Sequence, residues 1–475
     1  MKRIGLYVVV LIITLTPGTI LSKEYFVSEE GVDESSRSGS LEQPWRELSW
    51  VLSGGILQPG DTLTALPGFY QRLSFWDERY FFDPENPILI RSKELHAAGT
   101  NGINFGKGTG MIFEGFEAGP GREGQNVVQL AWPETHDIVL RNCLIHDAAP
   151  GGDCLKINAS AHHILVEGCV IYNPGDRSTG GYPTETWQEN IDLYDSDYIT
   201  VRNCWIYHIG DRGDHIAYTK GTATNIVFEN NVIGPQATAA HEGALSAGSR
   251  STAHQDGFVA FDITFRGNVL IDCGYSAVGV FAVKNTTIAD NIIYNCGYRP
   301  SPIDPEQPAP ITFRISEGAT PEPQYRSENT TIEGNIIIGL GNMGPVAVAP
   351  QENTVVDGLV NRNNRYWNGG NPISSEGLFD PNTEEGATFD DPGFVVPDSL
   401  DLENLDYATI RGWFRTDEPP ASLDFNGDGV LNIVDAIALL LFQRDNPGDL
   451  RADYNRDWKS DISDAIALLL DIMRR

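Results

Sequence analysis

Across 475 residues, 65 acidic side chains against 33 basic ones give a net charge of −32. Such a charge excludes nucleic acid as a general partner, and an acidic polymer would be held only through local cations or a metal. The length leaves room for a large core and a second, smaller domain.

Met1-Lys-Arg followed by the apolar run Ile4–Leu15 and then Thr16-Pro-Gly reads as an export signal, residues 1–22, cleaved near Ser22. The run is too short to span a bilayer, and no other stretch is long and apolar enough, so a secreted, membrane-free mature chain is expected. A domain over 23–396 then opens with Tyr25-Phe-Val-Ser and a short amphipathic helix near Trp45–Leu52. That helix is expected to cover the first open end of a stacked core. Early strands follow at Ile88-Leu-Ile-Arg and Met111-Ile-Phe-Glu.

From His136 onward one phrase recurs, as in Ile138-Val-Leu-Arg-Asn-Cys-Leu-Ile and Ile226-Val-Phe-Glu-Asn-Asn-Val-Ile. Aligned on Cys143, Cys169, Cys204, Asn231, Asn268, Asn291 and Asn335, the spacings are 26, 35, 27, 37, 23 and 44 residues. A period-2 strand, an Asn/Gly/Asp corner and a second apolar run, repeated at this period, predict coils that cannot bury their own cores and must stack. The fold class is therefore all-β, a stacked coil architecture. Position −2 from the anchor reads Arg141, Glu167, Arg202, Glu229, Arg266, Ala289, Glu333, a column that would pair charges between coils. Cys143, Cys169 and Cys204 occupy equivalent ladder places and read as buried thiols. Cys273 and Cys296, in matching Cys-Gly-Tyr phrases, are the candidate pair for a disulfide.

Each insertion follows the second apolar run, so loops should line one edge of one face. Where they end stand Asp153, Glu189, Asp214 and Glu242, expected in register as a possible groove metal site. Lys156 and Asp192, His215, His241 and Lys220 lie nearby. Four stacked carboxylates require a cation or protons. Trp132, Trp187 and Trp205 are candidate sugar platforms, with Trp187 the best placed and Trp205 better suited to packing.

The coil pattern resembles the right-handed parallel β-helix of the pectate-lyase-like superfamily, over most of the chain to about Asp391. The resemblance implies a carbohydrate-active enzyme, most often a calcium-assisted polysaccharide lyase acting on an acidic glycan by β-elimination. On that reading Lys220 is the first candidate base and Lys156 the second, with Asp192 and His215 beside them and Trp187 and His241 on the substrate. The Trp-Ile-Asp-His, Gly-His-Gly and Arg-Ile-Lys signatures of well-known members are missing. An inverting glycoside hydrolase using a pair from Asp153, Asp192, Glu189 and Asp214, or a non-catalytic glycan-binding scaffold, stays open.

Residues 397–422 read as a linker and 423–475 as a separate unit. Asp424, Asn426, Asp428, Val430, Asn432 and Asp435 stand at positions 1, 3, 5, 7, 9 and 12 of a twelve-residue loop. Asp453, Asn455, Asp457, Lys459, Asp461 and Asp464 do the same 29 residues later. Oxygen ligands at that spacing, with a backbone carbonyl at position 7, suit calcium. Both loops enter the helix phrase Asp-Ala-Ile-Ala-Leu-Leu-Leu. The duplicated unit resembles a type I dockerin, which implies a cohesin-type protein partner. Trp458 replaces the turn glycine in the second loop, and Ile433-Val434 and Ile462-Ser463 are more apolar than that family's usual pair.

Overall fold

The computed structural model describes residues 22–76, 78–175, 188–209, 213–237, 243–248, 258–299, 309–314, 326–341, 348–350, 355–373, 380–397, 400, 402, 405–414 and 436–441. The export signal, Trp187, His241, Glu242 and every calcium-loop ligand expected in the C-terminal unit lie outside these residues. Among the described residues no helix is long and apolar enough to cross a membrane.

Successive coils contribute strands to three parallel sheets, which hold thirteen, eleven and ten strands among the described residues. A representative coil runs through Thr135–Arg141 in the first sheet, Leu144–His146 in the second and Leu155–Asn158 in the third. It then re-enters the first sheet at His162–Glu167. Alternate residues of every strand point inward, and their side chains fuse into one continuous core from Val27 to Tyr366. The helix Leu48–Ser53 buries Leu48, Val51 and Leu52 against this core beside the terminal strand Leu73–Phe75, closing the N-terminal end as expected.

The corner between the first and second sheets explains the recurring Asn, Asp and Gly. Asn142, Asn203, Asn230 and Asp290 have φ of 51–55°, and Gly168, Gly267 and Gly334 have 62–67°. Asn and Asp tolerate this left-handed backbone better than other side chains, and Gly adopts it freely. The next residue turns inward. Asn268 Nδ2 donates to Phe228 O and to Asn291 Oδ1, each at 3.0 Å, and Asn291 Nδ2 repeats this to Phe265 O and Asn335 Oδ1, each at 2.9 Å. The thiols of Cys143, Cys169 and Cys204 occupy the same ladder, and all six cysteines are free and buried. A disulfide between Cys273 and Cys296 is absent. Cys273 instead donates its backbone N–H to Cys296 Sγ at 3.3 Å, a second thiol ladder.

On the outside of the first sheet, the registers place Glu114, Arg141, Glu167, Arg202, Glu229 and Arg266 in one column. Arg202 reaches Glu167 at 2.6 Å and Arg266 reaches Glu229 at 2.5 Å, so the alternating column is an inter-coil charge ladder.

The stretch expected to be a linker behaves differently at its start. Leu400, Leu402, Leu405, Tyr407, Ile410, Trp413 and Phe414 pack with Trp205, Tyr207, Val232, Val269 and Ile271 on the outer face of the second sheet. The helix Tyr407–Trp413 is capped by Asp406, and Arg411 Nη1 donates to Gly267 O at 2.8 Å. Leu400, Leu402 and residues 405–414 thus dock as a strap, because the second sheet carries an apolar outer face that must be covered. Trp205 is buried there as packing rather than as a sugar platform.

Candidate functional site

The insertions between His146 and Leu155, Tyr172 and Ile191, and Tyr294 and Ile311 leave a second-sheet strand and enter a third-sheet strand as expected, whereas those between Ala247 and Ala260 and between Arg314 and Arg326 leave the third sheet for the first. The former group therefore collects along the edge where third-sheet strands begin. At that edge the ladder Leu155↔Ile191↔Ala217 sets what lies beside what. Counting back two places puts Asp153 beside Glu189, and Glu189 beside His215. Asp214 is displaced by one: its N–H bonds Gln188 O at 3.3 Å, and its charge is felt at His208. The in-register column of four carboxylates is therefore corrected. The ladder partner of Ile191 is Ala217, not Ile216, and that offset of one residue hands the column place to His215.

Three carboxylates do converge. Oxygens of Asp153, Glu189 and Asp192 all lie within 4.8 Å of one another, and all three residues are buried. Asp153 and Glu189 come from the strand approaches, and Asp192 from the strand Ile191–Tyr194, outward and opposite Lys156. The Glu189 N–H donates to Asp153 Oδ1 at 3.2 Å. Lys156 Nζ pairs with Asp153 Oδ2 at 3.1 Å and with Asp192 Oδ2. Lys220 Nζ stands 3.6 Å from Asp192 Oδ2 and 4.1 Å from the centre of the Tyr218 ring. His215 stacks on Tyr218 at 4.7 Å, donates from Nδ1 to Gly243 O at 2.9 Å and lies 3.0 Å from Ser246 Oγ. The structure thus brings together Asp153, Glu189, Asp192, Lys156 and Lys220, with His215 just before the strand that carries Lys220.

The electrostatics follow from burial and crowding. Burial first, then the charges of Asp153 and Asp192, push the Glu189 carboxyl well above the usual carboxylate range. For Lys156 burial opposes the charge, yet Asp153 and Asp192 outweigh it and hold the ammonium well above the usual lysine range. Lys156 is therefore locked as a cation, which argues against its use as a base. His208, deep behind the edge, is pushed down to about 4 by burial, and its Nδ1 accepts from the Ala237 N–H at 3.1 Å.

A group whose folded pKa is raised stabilises the fold fully only below its unfolded value, about 4.3 for Glu. That contribution is lost as pH rises through the folded value. Glu189→Gln, which mimics the protonated form, is expected to melt above the native chain at pH 8, on the order of 2 °C. Near pH 4 the two should coincide, and thermal scans at both pH values check this. An equal melting temperature at pH 8 counts against the crowding described here.

Tyr218 and Tyr194 were not singled out from the sequence, though alternation carried the signal. Tyr218 is two residues before Lys220 and so shares its face, while Tyr194 is the ladder partner of Lys220. Trp132 is exposed just past the strand Val128–Ala131.

A family model described as a right-handed β-helix region matches residues 82–253. No protein of curated function matches the chain. Among solved structures, an alginate lyase from Paenibacillus sp. str. FPU-7 is similar at 14% identity and TM-score 0.41, over 72% of this chain and 95% of its own. Pectate lyase Pel9A is similar at 13% identity and TM-score 0.42, over 79% and 84% of the two chains. PfbA, a surface adhesin of Streptococcus pneumoniae, is similar at 12% identity and TM-score 0.44, over 67% and 79%. Three parallel sheets wound coil upon coil make this chain a parallel β-helix protein, whose residues 82–253 match the right-handed β-helix family model.

Proposed function

We propose that the chain is a secreted, carbohydrate-active protein whose third-sheet face carries out cation-assisted β-elimination on a uronate-containing glycan. The observation that carries this reading is the meeting of three buried carboxylates with two lysines on three successive coils. A hard divalent cation such as calcium suits the donor set, since all three ligands are carboxylates and Asp192 Oδ1 is buried without a hydrogen-bond partner. Asp153, Glu189 and Asp192 would hold it, and when bound it would neutralise a uronate carboxylate and so acidify the neighbouring C5 hydrogen. Lys220 removes that proton, since it has one carboxylate partner where Lys156 has two. Lys156 fixes Asp153 and Asp192 on adjacent coils and keeps their charges compensated. The aromatic faces of Tyr218 and Tyr194 position the Lys220 ammonium.

The close packing of the carboxylates favours this over the inverting hydrolase, which needs about 6.5–9.5 Å between its two groups. The tail adds a second expectation. Residues 436–441 are helical with Ala436 and Leu439 buried, which supports a helix after the first calcium loop. A paired calcium-loop module of dockerin type would tether the chain to a cohesin-type partner.

The test is incubation with alginate, polygalacturonate, sulfated and neutral glycans, with and without a chelator. A chain ending at Thr416 serves as the control, since chelation would also unfold the tail loops. Unsaturated products that vanish on chelation in both chains are expected. Saturated reducing ends, or binding without cleavage, would replace this reading by a hydrolase or a glycan-binding scaffold.

A further inference from the structure

The outward column of the third sheet that ends at Lys220 starts, at its other end, with an exposed indole. Leu73–Phe75 pairs with Ile103–Phe105 in register, so Trp76 stands beside Gly106. The ladder then continues through Ala131, Asn158 and Tyr194 to Lys220. Trp76 is 54% exposed. Its ring nevertheless has a defined seat: a Cβ on Gly106 would stand 2.2–2.9 Å from Cε3, Cζ3 and Cδ2 of the indole. Gly106 does not have the positive φ that would demand glycine, so its missing side chain serves space, letting the ring lie across the sheet with the other side open to solvent. Tyr194 also lies over a glycine at the far end, its ring atoms 2.5–3.0 Å from where a Cβ on Gly221 would be, although there a φ of 67° already calls for glycine.

Between the two rings the neighbouring outward column offers hydrogen-bonding groups. Asn104, Gln129 and Lys156 follow in register, and Asn104 Oδ1 is buried without a partner. The Trp76 end also carries basic side chains, Arg72 and Lys107, of which Lys107 pairs with Glu134 at 3.7 Å. Arg72 spans two coils, donating to Asn101 O at 3.2 Å and Asn126 O at 2.9 Å, with the charge of Arg122 acting on it. Lys107 follows Gly106 directly.

We propose that Trp76, seated on Gly106, is a distal sugar-stacking platform, so that this face binds one acidic glycan chain lengthwise from Trp76 to Lys220. Five ladder steps separate the two residues, roughly 24 Å at about 4.8 Å per strand. A short oligosaccharide at the carboxylate cluster cannot reach the indole, whereas a long chain covers both. The face therefore selects internal stretches of a polymer over short ends. This rests on the acidic-glycan reading above, but it concerns binding and is read without turnover.

The test is calorimetric titration of the Lys220→Ala chain with alginate and polygalacturonate oligosaccharides, trimers against decamers, with and without Trp76→Ala. Decamers are expected to lose about tenfold in affinity on Trp76→Ala, with trimers unchanged. Gly106→Ala, which displaces the ring without removing it, is expected to reproduce the loss, and Trp76→Phe to restore part of it. Equal losses for trimers and decamers, no loss for either, or no binding of either polymer would overturn the platform. If length selection depends on Trp76 but the native chain yields no unsaturated product, the platform stands and the lyase reading falls. If unsaturated product forms but Trp76→Ala leaves length selection intact, the reverse holds.

Discussion

Lys220→Ala is expected to lower turnover of an acidic glycan by about 10²–10⁴-fold, the usual share of a positioned proton acceptor, while the chain melts as before. The side chain is partly solvent-exposed, so its loss removes one ion-pair partner of Asp192 and the ammonium's contacts with the Tyr218 and Tyr194 rings, with no inward-facing side chain lost. Lys220→Arg keeps the positive charge near Asp192 but cannot give up its proton in the working pH range. It should therefore be as inactive as the alanine variant, which separates a base from a mere countercharge. Lys156→Ala should differ in kind: Asp153 and Asp192 are then left buried without their shared cation, so the melting temperature falls along with activity. Initial rates of double-bond formation on the three variants, each with a thermal scan, check these outcomes. Retained turnover in Lys220→Ala removes the residue from the proton step.

The second large effect belongs to the ladder at the corner. Asn291→Ala is expected to destabilise the coil stack by about 3–5 kcal/mol. Asn291 Oδ1 accepts from both the backbone N–H and the Nδ2 of Asn268, while its own Nδ2 donates to Phe265 O and Asn335 Oδ1. Truncation leaves these groups buried with no water to replace the missing amide. Asn291→Cys should recover part of the loss, because Cys169 already fills the equivalent place on another coil, accepting the Cys143 N–H at 3.4 Å and donating to Leu140 O at 3.5 Å. Denaturant midpoints of the three chains decide the matter. A loss below about 1 kcal/mol for alanine would mean the ladder satisfies itself some other way.

The coil, its corners and the charge ladder were legible in the sequence because each rests on a local rule repeated many times. Alternation fixes the inward face, and a left-handed corner admits Asn, Asp or Gly. The anchor alignment then gives the register of Arg202 on Glu167 without any coordinates. The candidate site was legible only where that register continued. Asp153, Lys156 and Asp192 fell together as expected, but nothing in the periodicity states how many residues a loop spends before its strand begins. That single uncertainty moved Asp214 out of the column and put His215 in. The strap was missed for another reason. Leu144, Val170, Trp205, Val232 and Val269 occupy outward places on the second sheet, one position after each anchor, and pair in register. An outward stripe that apolar calls for a cover, and the cover was there in Leu400, Leu402, Leu405, Tyr407 and Ile410. Trp76 and Gly106 lie in the early coils, where the repeat phrase is weak and no copy marks them as neighbours.

The strap also decides how the molecule would be displayed. By running back along the solenoid to rest on Asn230 and Gly267, it brings Phe414 against Tyr294 rather than leaving it beyond the final coil. Anything joined after Phe414 departs from the flank formed by the second sheet, amidships, while the third sheet looks another way. In the proposed tethered arrangement the chain would thus leave the solenoid on a side other than the third-sheet face.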